Sequence, residues 1–243
     1  MSEKNKLNHL GVIMDGNRRW ARSHKLESVI EGHRVGTRRF IDLCSWCIDE
    51  DIPYATVFAF STENWNRPEK EVNGIFELME YFFKTEIDTC IRQGVRLRIL
   101  GDRAQLPEKS QKIIADAETR TKDCDRVNMQ IAINYGGRDE IFRAVKKLCA
   151  KIQTGALSLE NLREKEFEEC FENCLDTAGL PHPQIDLVIR TGADGRKRTS
   201  GFFPWQAVYA ELYFLDTLWP DFSQEDLRKA VDWYKGVERN IGA

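Results

Sequence analysis

Three short stretches carry more chemistry than their length requires: IMDGNRRWA at 13–21, FAFSTENWNRP at 58–68 and IRTGADGRKRTSGF at 189–202. Each opens on an apolar run that reads as a strand and ends in charges, amides and glycines. Arg19, Arg67, Arg190, Arg196 and Arg198 lie in or beside them. Guanidinium forks match phosphate oxygens bidentately, so several on one rim imply a ligand with more than one phosphate. Gly16 and Gly192 would let backbone N–H groups approach those oxygens as an anion nest. Asp15 has the wrong charge for phosphate unless a cation bridges the two. Mg²⁺ held by one or two carboxylates plus phosphate oxygens is the usual solution. Glu211, in YAELYF, is a candidate second carboxylate.

Taken singly, each residue has a plainer use. Asp15 after a strand suits a helix N-cap equally well, Trp20 and Trp65 suit packing, and His33 at a helix start suits a cap or a surface. Co-occurrence is what carries the argument. The chain also lacks a GxxxxGK[ST] loop and a GxGxxG fingerprint, which disfavours a P-loop nucleotidase and a dinucleotide-binding dehydrogenase.

For the three stretches to meet, the chain must bring three strand ends together. Apolar runs predict strands at Leu10–Met14, Tyr54–Phe60, Val95–Leu100, Val127–Asn134, Asp186–Ile189 and Leu212–Phe214. Helical periods separate them. They include Pro107–Lys122, with proline near its first turn, and Ser223–Val237, with serine as N-cap. Alternating strands and helices predict a single α/β domain over 1–243, its mostly parallel central sheet covered by helices, with residues 1–8 flexible. In such sheets ligands bind beyond the carboxyl ends of the strands. Val72, Ile75, Phe76, Met79, Phe82, Phe83 and Ile87 trace one broad apolar helix face. Beside a diphosphate site, that stripe would wall a hydrophobic tunnel for a hydrocarbon tail.

Bulk composition narrows the classes. With 243 residues, 42% hydrophobic and 31% charged, the chain has the material for a substantial core. A net charge of −3 argues against nucleic acid as a partner. No apolar run reaches the ~18 residues of a transmembrane helix, and the N-terminus has no signal-peptide core. Seven irregularly spaced cysteines fit reduced thiols in a cytoplasmic protein better than a disulfide framework. Cys44 and Cys47 form a CxxC inside a helical pattern, which favours small buried residues over zinc or redox chemistry.

In order, HLGVIMDGNRRWA, EGHRVG, FAFSTENWNRP with EV after it, NYGGR, LVIRTG, RTSGF, YAELYF and LWPDF resemble the cis-prenyltransferases of the undecaprenyl diphosphate synthase type, from about residue 9 to 240. The resemblance implies a tunnel-bearing α/β enzyme, usually a homodimer. It would condense isopentenyl diphosphate with an allylic diphosphate such as farnesyl diphosphate, to make a polyprenyl diphosphate for a glycosyl-carrier lipid. It places Asp15 and Glu211 on Mg²⁺, and Gly16, Asn17, Arg18 and Arg19 at the allylic diphosphate, with His33, Arg67 and Glu71 close by. Trp20 and Trp65 would flank the reacting chain. Ser61, Thr62, Glu63 and Asn64 would form the catalytic segment, with Asn64 helping to remove the proton. Arg190, Arg198 and Ser200 would hold the second diphosphate, although two extra residues leave Arg196 an equal claim to the place of Arg198. The tunnel floor would fall on Val127 to Ile133, and product release implies at most transient membrane contact. The chain departs from the family pattern at Val29, Gly201 and Asn240. A short-chain synthase and the non-catalytic subunit of a two-protein transferase are the alternatives. The latter characteristically lacks Asp15, Asn64 and Trp65, all present here.

Overall fold

The computed structural model describes residues 6–160 and 162–238. Its centre is a sheet of β1 (His9–Ile13), β2 (Tyr54–Ser61), β3 (Val95–Leu100), β4 (Val127–Tyr135), β5 (Leu187–Arg190) and β6 (Glu211–Phe214). The strand order is β3-β4-β2-β1-β5-β6, and every pair is parallel. The helices are α1 (Asn17–Ser23), α2 (Val29–Asp49), α3 (Glu69–Thr85), α4 (Ile87–Gln93), α5 (Glu108–Thr121), α6 (Gly137–Gln153), α7 (Glu164–Glu172) and α8 (Gln224–Lys235). Asn240 lies outside the described residues. So do residues 1–5 of the stretch expected to be flexible. Residues 6–8 correct that expectation in part, because Leu7 is buried and the Asn8 backbone N–H donates to Asp186 at 2.9 Å.

Strands buried on both faces need apolar residues throughout, and β1 and β5 are buried along their whole length. On one face, Val12, Val57 and Ile131 pack against Phe40 and Leu43 of α2 and Phe76 and Phe83 of α3. On the other, Ile13, Val188 and Ala132 pack against Tyr135, Phe202 and Phe203. The CxxC pair faces the first cluster from α2. Burial pushes the Cys47 thiol up to about 12 and Cys44 well above its ordinary value, so neither is a ready thiolate.

Strict alternation along β2 would send Phe58 and Phe60 to the same face. Instead the pairing with β4 skips Ala59, with Phe58 opposite Ala132 and Phe60 opposite Ile133. This one-residue bulge turns Phe60 over onto Phe76 of α3, while Phe58 stays against Phe202. A second slip takes up Asn134, which has φ 51°. Asparagine tolerates that left-handed backbone, and its side chain bonds Trp65 and the Asp102 carbonyl.

One buried carboxyl links the β4–α6 turn to the loop before β5. Glu140 accepts from the Tyr135 hydroxyl at 2.6 Å, the Asp176 N–H at 2.9 Å and the Gln206 amide at 3.1 Å. Burial pushes its carboxyl up to about 7 despite these bonds. A raised carboxyl stabilises the fold below its unfolded value and loses that contribution as pH rises through the folded value. Between pH 4.5 and 7 Glu140 should therefore cost the fold on the order of 3 kcal/mol. Glu140→Gln mimics the protonated form, so urea melts at acid and alkaline pH should show a flatter pH slope than wild type. An identical slope would remove Glu140 as its source.

Candidate active site

Because β1 lies between β2 and β5, Ile13 is level with Phe58 on one side and Arg190 on the other. The segments leaving these three strands therefore converge on one cleft of about 720 Å³. The turn after β1 needs Gly16 at φ 125°, where a Cβ would meet Leu218 at 2.9 Å. Gly192 has φ 57°, and a Cβ there would sit 2.5 Å from the Arg19 guanidinium. With glycine at that place, Arg19 donates to the Gly192 carbonyl.

Arg190 is the hinge of the cleft. Its buried guanidinium donates to Asp15 Oδ2 and to Ser200 Oγ, each at 2.9 Å, and to the Arg198 carbonyl. Asp15, one-third exposed, also pairs with Arg19 at 3.1 Å. A second cluster forms around buried Glu71, whose Oε1 lies 3.1 Å from Arg67, 3.4 Å from Arg18 and 3.6 Å from His33. Burial and the nearby Arg67 lower the His33 imidazole to about 4, against the pull of Glu71, so it is neutral at pH 7. Burial also lowers Arg67, partly offset by Glu71.

Among the described residues six buried side-chain atoms lack a hydrogen-bond partner, and four of them belong to cleft residues: Asn17 Oδ1, Arg18 Nε, His33 Nε2 and Arg190 Nε. Such atoms are costly unless a ligand or water completes them. Arg18 Nε and His33 Nε2 face Glu71 Oε1 at 3.4 and 3.6 Å, so Asn17 Oδ1 and Arg190 Nε are the two that a polar ligand or water would complete.

The structure brings to this cleft Asp15, Gly16, Asn17, Arg18, Arg19, His33, Ser61, Glu63, Asn64, Arg67, Arg190, Arg196, Arg198 and Ser200. Arg196 is held by Asp194 at 3.3 Å, whereas Arg198 makes no ion pair among the described residues, so Arg198 is the freer cation. Asn64 caps its own turn, its Oδ1 accepting from the Ser61 N–H at 3.1 Å, which leaves its NH₂ as a donor.

Five expected site residues lie elsewhere. Glu71 sits behind the cleft as the anchor of Arg18, His33 and Arg67. Trp20 donates to Asp221 at 2.7 Å and stacks on His24. Trp65 donates to Asn134 and stacks on Phe76. Thr62 packs against Gly136. Glu211 is the largest correction: it opens β6 level with Leu187, itself level with Leu10. Asp15 lies five residues further along, roughly 16 Å away at ~3.3 Å per residue, beyond the opposite end of the sheet. Within one chain the two carboxylates cannot share a metal. Conversely Arg22, outside the residues expected from the sequence, also lines the cleft. Its spacing of four from Arg18 on α1 was the available signal.

Beneath the cleft an apolar cavity of about 90 Å³ runs between α2, α3 and the sheet. Phe40, Leu78, Met79, Phe82, Phe83 and Ile131 line it. Met14, Asn17, His33 and bulged Ala59 line both spaces, so the cleft is the mouth of the cavity. Ile131 and Ile133 lie on its wall as expected of the tunnel floor, but Val127 is sealed in the core at the start of β4.

Among the described residues no three His, Cys, Asp or Glu side chains gather to cage a metal. Asp15 alone, on an accessible rim beside guanidinium groups, suits a hard cation that arrives with phosphate oxygens and keeps part of its water. That donor set fits Mg²⁺ shared with a diphosphate.

Residues 13–242 match the family described as "Putative undecaprenyl diphosphate synthase". An isoprenyl transferase of Aquifex aeolicus is 42% identical over 96% of this chain and 95% of its own. A farnesyl-diphosphate-specific ditrans,polycis-undecaprenyl-diphosphate synthase of Legionella pneumophila is 39% identical over 96% and 94%. Lavandulyl diphosphate synthase from Lavandula x intermedia, solved with dimethylallyl diphosphate, superposes with a TM-score of 0.92 at 32% identity, covering 99% of this chain and 100% of that one.

Proposed function

The chain belongs to the undecaprenyl diphosphate synthase family of cis-prenyltransferases, and on that premise we propose that it condenses isopentenyl diphosphate with an allylic diphosphate, farnesyl diphosphate foremost, into a polyprenyl diphosphate for a glycosyl-carrier lipid. The observation that carries this reading is the continuity of the cationic cleft with the apolar cavity through Met14, Asn17, His33 and Ala59.

Arg18, Arg19 and Arg67, with neutral His33, hold the allylic diphosphate with its hydrocarbon pointing into the cavity. Arg190, Arg198 and Ser200 hold the diphosphate of isopentenyl diphosphate on the β5 side. Two anchored diphosphates set the reacting carbons within reach, converting a bimolecular encounter into an oriented one. Arginines aimed at the departing diphosphate favour the charge that builds there. Mg²⁺ held by Asp15 and the allylic diphosphate would add charge neutralisation at the same oxygens. As the new bond forms, isopentenyl diphosphate loses a proton near Ser61 and Asn64. A neutral amide is too weak a base to keep it, so the Asn64 NH₂ orients an oxygen of the departing diphosphate, which takes the proton and carries it away. Each five-carbon unit buried contributes up to ~4 kcal/mol, at ~0.8 per carbon, which retains the growing chain between additions.

Incubating the purified chain alone with farnesyl diphosphate and labelled isopentenyl diphosphate, with and without Mg²⁺, and weighing the product tests the reading. Absence of product with the metal present would overturn it in favour of a non-catalytic subunit. A short-chain synthase is the second reading. It is favoured by the narrow cavity, crowded by Phe40, Phe82 and Phe83. The product mass decides between the two. Ala59→Leu places three further carbons at the junction of cleft and cavity and should shorten the product by at least one unit. An unchanged distribution from a folded, active variant would show that the chain does not pass Ala59.

The homodimer and the cytoplasmic location belong to the same proposal. Phe142 and Val145 on α6, Val208 before β6 and Leu212 within it are exposed large apolar residues suited to a second copy. Glu211 adjoins Leu212 on edge strand β6, so pairing through β6 would carry it towards a neighbouring molecule. Light scattering should give twice 28.2 kDa, and Phe142→Glu with Val208→Glu should return the monomer. All seven cysteines are free, in keeping with a reducing compartment.

A further inference from the structure

Beside the apolar cavity lies a second space of about 10 Å³, between α3, α5 and β4. Met79, Phe83 and Ile133 line both and form the partition between them. Beyond the partition the wall changes character. Glu80 of α3 accepts a hydrogen bond from Ser110 Oγ of α5 at 3.0 Å and pairs with Lys109. Ser110 is buried, and the Glu80 side chain is only 14% exposed. Glu80 is the single Asp, Glu, Lys or Arg side chain lining either apolar space among the described residues. No step of the proposed reaction uses it.

A helix that buries an apolar face would ordinarily place leucine or methionine at such a position. A carboxylate there is tolerated because two donors on α5 complete it. Those donors hold Glu80 below its ordinary value, although burial pushes the other way. The arrangement latches α3 to α5 on the flank of the cavity, where Ile133 lies level with Phe60 of β2.

We propose that the Glu80–Ser110–Lys109 latch is the stop that sets the length of the product. The inference rests on the chain-elongation reading above. The growing hydrocarbon displaces Met79, whose unbranched thioether repacks readily, turns Phe83 aside and enters the seam between α3 and α5. It halts where the next unit would have to separate the carboxylate from its donors. Apolar burial gains the same increment with each five-carbon unit, and parting a carboxylate that is 14% exposed from its Ser110 and Lys109 donors works against that gain. Length is thus set by a polar barrier as well as by the volume in front of it.

The test compares product masses from farnesyl diphosphate and excess labelled isopentenyl diphosphate. Glu80→Ala removes the latch and should extend the longest product by at least one five-carbon unit. Glu80→Gln keeps the side-chain volume and an acceptor for Ser110, and should retain the wild-type length. Ile114→Phe fills the seam between partition and latch and should shorten the product. A wild-type distribution from folded, active Glu80→Ala or Ile114→Phe would overturn the proposal. Glu80→Leu keeps the volume without the acceptor and should also lengthen the product; a wild-type length from folded, active Glu80→Leu would overturn the proposal, since volume rather than hydrogen bonding would then set the limit. Absence of any product from the wild-type chain would instead overturn the elongation reading itself.

Discussion

Replacing Asp15 with alanine should lower turnover by at least a hundredfold while leaving a folded protein. The side chain stands on an accessible rim, one-third exposed, and contributes no apolar packing. Its removal leaves Arg19 bonded to Gly192 and Arg190 bonded to Ser200 and to the Arg198 carbonyl but without a carboxylate, so a lowered melting temperature should accompany the loss of turnover. Transition-state charge on the departing diphosphate would lose the carboxylate that shares its metal. A hundredfold loss corresponds to ~2.7 kcal/mol, at ~1.4 per factor of ten, well within what one metal ligand supplies. Asp15→Asn separates the two duties of the residue. The amide oxygen can still accept from Arg190, but the neutral group holds Mg²⁺ poorly, so the asparagine variant should be nearly as slow as the alanine. Calorimetry supplies a readout without turnover. Mg²⁺ titrated into the wild-type chain alone should give no binding heat, whereas an inert allylic diphosphate analogue should confer binding that Asp15→Ala abolishes. Near-normal turnover of the alanine variant at saturating Mg²⁺ would remove Asp15 from the reaction.

Arg190→Met should lower kcat/KM for isopentenyl diphosphate by a hundredfold or more, with a smaller effect on the allylic substrate. Methionine replaces the length of the buried stem, so packing between β1 and β6 is largely kept. What is lost is a fork that reaches Asp15 in one direction and Ser200 in the other. Hydrogen bonds to charged groups contribute ~1.5–3 kcal/mol each, and losing two of them amounts to at least a hundredfold. Arg190→Lys should rescue little, because a single ammonium cannot hold both directions at once. Equal losses for both substrates would assign Arg190 to the cleft as a whole rather than to the second diphosphate. A lysine variant of wild-type efficiency would reduce its role to that of a simple positive charge.

Much of the site was legible along the chain because its residues are local to strand ends. An apolar run of four to eight residues reports a buried strand wherever it falls. In a parallel sheet the ends that follow such runs lie on one edge. That is enough to bring Asp15, Asn64 and Arg190 together without knowing the strand order. The same logic misplaced Glu211. It precedes the apolar run of β6 rather than following it, so strand polarity carries it to the far edge.

Other assignments depend on contacts that no local pattern contains. Glu71 resembles a ligand-binding carboxylate in sequence, and only the docking of α1 and α2 beside α3 shows it serving three cations behind the cleft. Trp20 leaves the site because α1 turns its indole towards Asp221, a residue 201 positions away. Ala59 stands where cleft meets cavity because β2 bulges there, sending Phe60 to the α3 side. The sequence by itself determined the strands, their polar ends and the charge of the rim, since each follows from neighbours within one turn or one strand. Tertiary structure decided which side chains face the ligand space, because strand register and helix docking are chosen by packing between segments distant in the chain, and a shift of one residue reverses a face.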